Sequence, residues 1–176
     1  STGGTITAHL TLPHGVAWPD PESPVPAVIL ARPMPSHEEV ADPHYLAQYL
    51  AANGYAVLRV SNRVDAAYGT GWLPERAIVG YRRSVADLAD AAAYLVGQGV
   101  TTPDRLCGAG KDYGAHTVLM AAIERAELFR CVIGIASVTD PRATPVEELV
   151  LAGARLADGV TLDGASPLRR ADEIGV

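Results

Sequence analysis

Gly110-Lys111-Asp112-Tyr113-Gly114 is the stretch of this chain whose residue types and spacing could do chemistry. It ends the apolar run "RLCGAG" and leads into "AHTVLMAAI", so it sits where a strand turns sharply into a helix. Two glycines framing one polar residue in that context match the nucleophile elbow G-x-S-x-G, with aspartate in the place of serine. The glycines serve geometry: the central residue must hold a strained conformation, and its neighbours must let helix and strand approach closely. Asp112 is the candidate catalytic residue, either as a carboxylate nucleophile or as a relic in a site that binds without reacting. Phosphate binding is a weaker reading of the same glycines. G-x-G-x-x-G and G-x-x-x-x-G-K-[ST] are both missing, and Asp112 would repel a phosphate at the helix N-terminus.

An elbow nucleophile needs a base, and an acid that orients the base. His116, four residues past Asp112, lies one helical turn further on and is a candidate base. His37, in the region after an earlier covered strand, is a second candidate. Solvated surface histidine is the plain alternative for both. Lys111 either compensates the charge of Asp112 or pairs with it in a binding site. Tyr68, with Trp18 and Trp72, is a candidate lining residue, against ordinary packing. Asp65, Glu75 and Asp87 share no common face, and His9 and His14 belong to the opposite, antiparallel edge. No grouping of His, Cys, Asp or Glu has metal spacing, and no cofactor motif is present, so neither metal nor cofactor is expected. Cys107 and Cys131 each lie inside an apolar strand-like run, which reads as two buried free thiols rather than a disulfide framework.

The elements that must position these residues alternate. "TITAHLTL" at 5–12 places apolar and polar residues on opposite faces, as a half-buried antiparallel strand does. "AVILA" at 27–31 is short, continuous and apolar, as a strand covered on both faces must be, and "YAVLRV" at 55–60 reads as a second covered strand. Between them Asp42 and Pro43 open a helix with Leu46, Tyr49 and Leu50 on one face, and Asn53-Gly54 stops it. Residues 62–80 read as a long loop, and Ser84 opens a second helix that carries Val85, Leu88, Ala92 and Leu95 and closes around Gly97. "RLCGAG", a helix over about 114–126 and "CVIGIAS" at 131–137 follow. A capping box at Thr144, Pro145 and Glu147 opens a last helix. This alternation predicts an α/β fold in one domain over residues 1–176: a doubly wound, mostly parallel sheet with its first strand antiparallel at one edge. Ligands of such sheets bind beyond the carboxyl ends of the strands, where the turn at 110–114 lies.

Composition removes several classes. The 176 residues carry a net charge of -6 with no Lys/Arg cluster, which argues against a nucleic-acid partner. Apolar runs fall far short of the roughly 20 residues that cross a bilayer, so no membrane partner is expected. The chain opens on Ser1-Thr2-Gly3-Gly4 with no signal region, so its start reads as trimmed and cytoplasm is the default location.

"YAVLRVSNRVDAAYGTGW", "TTPDRLCGAGKDYGAHTVLMAAIERAELFRCVIGIASVTD" and "SPLRRADEI" resemble successive stretches of the catalytic domain of prolyl-oligopeptidase-family serine peptidases, in order from about Gly4 to Val176. The resemblance implies an α/β-hydrolase fold, the nucleophile at the position of Asp112, and the backbone N–H of Tyr113 in an oxyanion hole. It also implies site-lining by the loop from Asn62 to Gly69. Three departures stand beside it. Asp112 replaces the serine. Arg32-Pro33-Met34-Pro35 replaces the family's glycine-rich turn, and its two prolines have no N–H to donate. No histidine follows His116, and the chain stops at "ADEIGV", before the family's last strands with its triad acid and histidine.

The expectation is a truncated hydrolase-like domain that is catalytically impaired or a fragment of a longer enzyme. An aspartate-nucleophile hydrolase, with haloalkane dehalogenase or epoxide and ester hydrolase chemistry, is one alternative. A non-catalytic binding or assembly module for a small molecule or peptide is the other. "CVIGIAS" would be left as an apolar edge, so a homodimer through 131–137 or a larger parent protein is expected.

Overall fold

Among the described residues five strands form one sheet, in the order β1-β3-β2-β4-β5. The computed structural model describes residues 5–16, 21–32, 44–61, 81–143 and 162–175. In chain order the elements are β1 (Ala8–Thr11), β2 (Ala27–Ala31), α1 (Tyr45–Ala52), β3 (Ala56–Val60), α2 (Tyr81–Gly97), β4 (Leu106–Lys111), α3 (Tyr113–Glu124) and β5 (Cys131–Ile135). β1 runs antiparallel to β3, and the other three pairings are parallel. The expected doubly wound sheet with an antiparallel edge strand is therefore present.

β2 and β3 are buried along their whole length; β2 is apolar throughout, and in β3 Arg59 alone interrupts the apolar residues. Alternate residues face opposite layers. Ala27, Ile29 and Ala31 join Leu58, Val85, Leu88, Leu95, Leu106 and Val118 in the larger core under α2 and α3. Val28 and Leu30 point the other way, to Val57, Ala109 and Ala47, with Leu46 and Leu50 of α1 packed against them. Each buried aliphatic side chain of this kind contributes about 1.5–3 kcal/mol.

Several local readings change. Within the described residues α2 runs from Tyr81, not from Ser84; Ser84 is buried inside the helix, its Oγ 3.4 Å from Tyr113 Oη. Serine's capping preference loses to packing, because the fully buried Tyr81 draws the helix one turn further. Within the described residues α1 is capped by His44, whose Nδ1 accepts from Ala47 N at 3.4 Å; Asp42 and Pro43 lie outside them. Tyr49 is exposed, not core-facing, because α1 turns its alanines, Ala47 and Ala51, toward the sheet. β5 stops at Ile135, where Ala136 takes a positive φ of 50° that breaks the extended backbone.

The reading of the cysteines as buried free thiols is overturned. Cys107 and Cys131 form a disulfide, and both are half-buried. The parallel register sets them opposite each other with Cα atoms 4.8 Å apart, within bridging distance. The expected loop at 62–80 and the capping box at Thr144 lie outside the described residues, as do His37, Asn62, Tyr68, Trp18 and Trp72.

Candidate functional site

β4 ends at Lys111 and α3 starts at Tyr113, which leaves Asp112 alone in the turn with φ 52° and ψ -117°. Such a conformation costs a non-glycine residue about 1–3 kcal/mol and persists only where the surroundings impose it. Here two backbone bonds and two glycines do so. Asp112 N–H donates to the Ile135 carbonyl at 3.0 Å, and His116 N–H donates to the Asp112 carbonyl at 3.1 Å. A Cβ on Gly110 would overlap the backbone of Gly114, and one on Gly114 would overlap the carbonyls of Ala31 and Arg32. Only glycine lets the start of α3 rest on the end of β2 and the end of β4. Arg32 thereby brings its backbone against the elbow.

The carboxylate of Asp112 is 48% exposed and lies 3.9 Å from Lys111 Nζ, itself exposed. An ion pair that long and that open to water contributes little. Asp112 makes no side-chain cap bond to α3. Its negative charge is favourable at this end of the helix dipole.

His116 goes elsewhere. Its ring is fully buried, so the alternative of a solvated surface histidine is overturned. The ring stacks on Tyr113 and meets Tyr81 edge-on, with centroids 5.8 Å away in both cases. Nε2 lies 2.8 Å from the Ala165 carbonyl, so Nε2 carries the proton and donates it. Nδ1 is buried with no partner. Burial drives the imidazole pKa down to about 4, against the opposing pull of the Ala165 carbonyl. The ring is neutral at pH 7 and turned into the core, while the Asp112 carboxylate faces solvent.

Tyr113 also sends its side chain inward, and burial pushes its phenol up to about 12. Only its backbone belongs to the elbow. Sequence reasoning missed the polar network around it. Tyr81 Oη donates to Glu124 Oε1 at 2.5 Å. Arg170 reaches the same Glu124 oxygen at 3.4 Å and the Gly164 carbonyl at 3.0 Å. This network, with the His116 to Ala165 bond, anchors residues 162–175 on α2 and α3 behind the elbow. Nothing in the local pattern marks Glu124 and Arg170 as partners, because they are 46 residues apart.

A cavity of about 650 Å³ lies beside β1, lined by Ile6, Leu10, Leu58, Val60, Asp87 and Tyr94. β1 is three strand positions from β4, so this cavity is separate from the elbow. Among the described residues no group of three or more His, Cys, Asp or Glu side chains could hold a metal ion. None of the helices among them is long and apolar enough to cross a membrane.

The profile of the "Prolyl oligopeptidase family" matches residues 43–163. Dipeptidyl aminopeptidase BIII of Pseudoxanthomonas mexicana is 30% identical over 134 residues, which cover 74% of this chain and 19% of that protein. Two solved structures share the fold. Dipeptidyl peptidase 4 of Porphyromonas gingivalis superposes with a TM-score of 0.78 at 23% identity, over 96% of this chain and 24% of that one. A puromycin-hydrolyzing peptidase of Mycobacterium tuberculosis gives 0.81 at 23% identity, over 99% of this chain and 28% of that one. The chain thus spans between 19% and 28% of the length of these relatives.

Proposed function

The chain belongs to the prolyl oligopeptidase family, and we propose that it is the elbow-bearing part of a hydrolase domain that has given up acyl transfer and keeps the fold for binding. One observation carries the reading: the elbow backbone is retained while its side chain is a carboxylate. Asp112 holds φ at 52°, and Gly110 and Gly114 hold the close approach that the elbow needs. A serine oxygen there, deprotonated by a base, attacks a carbonyl and leaves a stable ester. A carboxylate oxygen attacking the same carbonyl would leave a mixed anhydride, higher in energy than the ester or amide consumed.

Three of the four described histidines support the same reading. Among the described residues His116 is committed to the core, His44 caps α1 and stacks on Tyr45, and His9 stands on β1 at the far edge of the sheet. The relatives are named as dipeptidyl peptidases and as a puromycin-hydrolyzing peptidase, so the ligand class we infer is a short peptide.

Hydrolysis of p-nitrophenyl acetate by the chain, by Asp112→Ala and by Asp112→Ser tests this. The chain and Asp112→Ala are expected at the buffer rate. Turnover by the chain that Asp112→Ala abolishes would overturn the proposal and make aspartate a working nucleophile. Covalent mass labelling of Asp112 by a haloalkane or an epoxide, where carboxylate attack gives a stable ester, would overturn it equally.

A further inference from the structure

Cys107 and Cys131 occupy paired positions on neighbouring parallel strands and are joined there. β5 is the outermost strand among the described residues, with β4 as its strand neighbour and Ile133, Gly134 and Ile135 exposed. An edge strand with so little cover depends on whatever ties it to the sheet. Both cysteines are half-buried, within reach of a thiol reagent. The same two strands carry the elbow at their other end. Lys111 pairs with Ile135 in the register, and the Asp112 N–H donates to the Ile135 carbonyl at 3.0 Å. The bond therefore joins β4 to β5 where both begin, and the turn at Asp112 rests on where both finish.

We propose that the Cys107–Cys131 disulfide is a redox-sensitive clamp that holds β5 on β4 and, through the Asp112 to Ile135 hydrogen bond, orders the elbow. Opening the clamp requires a dithiol reductant. Its thiolate attacks one cysteine sulfur and forms a mixed disulfide, releasing the other cysteine as a thiolate. The reductant's second thiol then displaces the first cysteine. In all, two electrons and two protons pass to the protein, and the dithiol leaves as its own cyclic disulfide. Disulfides of this kind persist in oxidising compartments.

Thiol counting and hydrogen exchange test the clamp on the whole chain, purified from an oxidising host compartment. Ellman's reagent on the denatured protein is expected to find no free thiol before treatment with dithiothreitol and two after it. Two free thiols in the untreated protein would overturn the proposal. In native-state hydrogen exchange read by mass spectrometry, reduction is expected to speed peptides covering 131–137 and 108–113 at least tenfold, and α2 less than twofold. Unchanged exchange, or equal acceleration everywhere, would overturn it, the latter by making the bond a contributor to global stability alone. Cys107→Val combined with Cys131→Val is expected to exchange like the reduced protein and to ignore dithiothreitol. Exchange like the oxidised protein would count against the clamp. If that variant fails to fold, the two wild-type states decide the matter by themselves.

Discussion

Acidification should destabilise this protein through one buried ring. The folded pKa of His116 is about 4, lowered by burial, whereas an unfolded histidine titrates near 6.5. The sign follows from that order. Above pH 6.5 both states hold the ring neutral and its contribution is complete; as pH falls toward 4 the unfolded chain takes a proton that the folded chain refuses. The full window is worth about 3 kcal/mol, and the part between pH 7 and pH 5 about 2 kcal/mol. Among the described residues the groups against the ring are Tyr81 of α2, Tyr113 of α3 and the Ala165 carbonyl, none of them a carboxylate. Urea unfolding followed by circular dichroism at pH 7 and pH 5, at fixed ionic strength, measures the effect.

His116→Gln is the control, since its amide can still donate to the Ala165 carbonyl but does not titrate. The variant should be less stable at pH 7, and its stability should fall by about 2 kcal/mol less than wild type on going to pH 5. The depressed carboxylates Glu127 and Glu173, both exposed, and Asp140, which is half-buried, lose their partners' benefit at lower pH and cancel in the difference. Parallel losses in wild type and variant would refute a neutral, buried His116.

Asp112→Gly should raise stability, by about 1 kcal/mol, because glycine accepts φ 52° without the strain an aspartate bears; a lower urea midpoint would show that the carboxylate does more for the fold than it costs. Ile133 and Ile135 are 52% and 46% exposed on the outer strand, so the isolated chain should self-associate through β5 in light scattering. Ile133→Lys with Ile135→Lys should return it to a monomer, and a wild type that stays monomeric at high concentration would refute that pairing.

Much of this molecule was legible one residue at a time. "AVILA" and "YAVLRV" can be nothing but covered strands, and "TITAHLTL" alternates as a strand with one wet face does, so the parallel sheet and its antiparallel edge follow from local apolar patterning. The elbow was equally readable, because the need for glycine at 110 and 114 is imposed by backbone contacts within and beside a single turn. What the chain could not reveal in one dimension depends on neighbours distant in sequence. Cys107 and Cys131 are 24 residues apart, and only the register of β4 on β5 sets them face to face. His116 reads as a helix residue near the elbow, yet the rotation of α3 against α2 and the segment at Ala165 carries its ring into the core. Ser84 resembles a helix start until the burial of Tyr81 extends the helix past it. Local sequence determines which backbone conformations are cheap; packing across the sheet decides which thiols can meet, which imidazole stays neutral, and that the carboxylate of Asp112 faces water beside the buried Gly110, Tyr113 and Gly114.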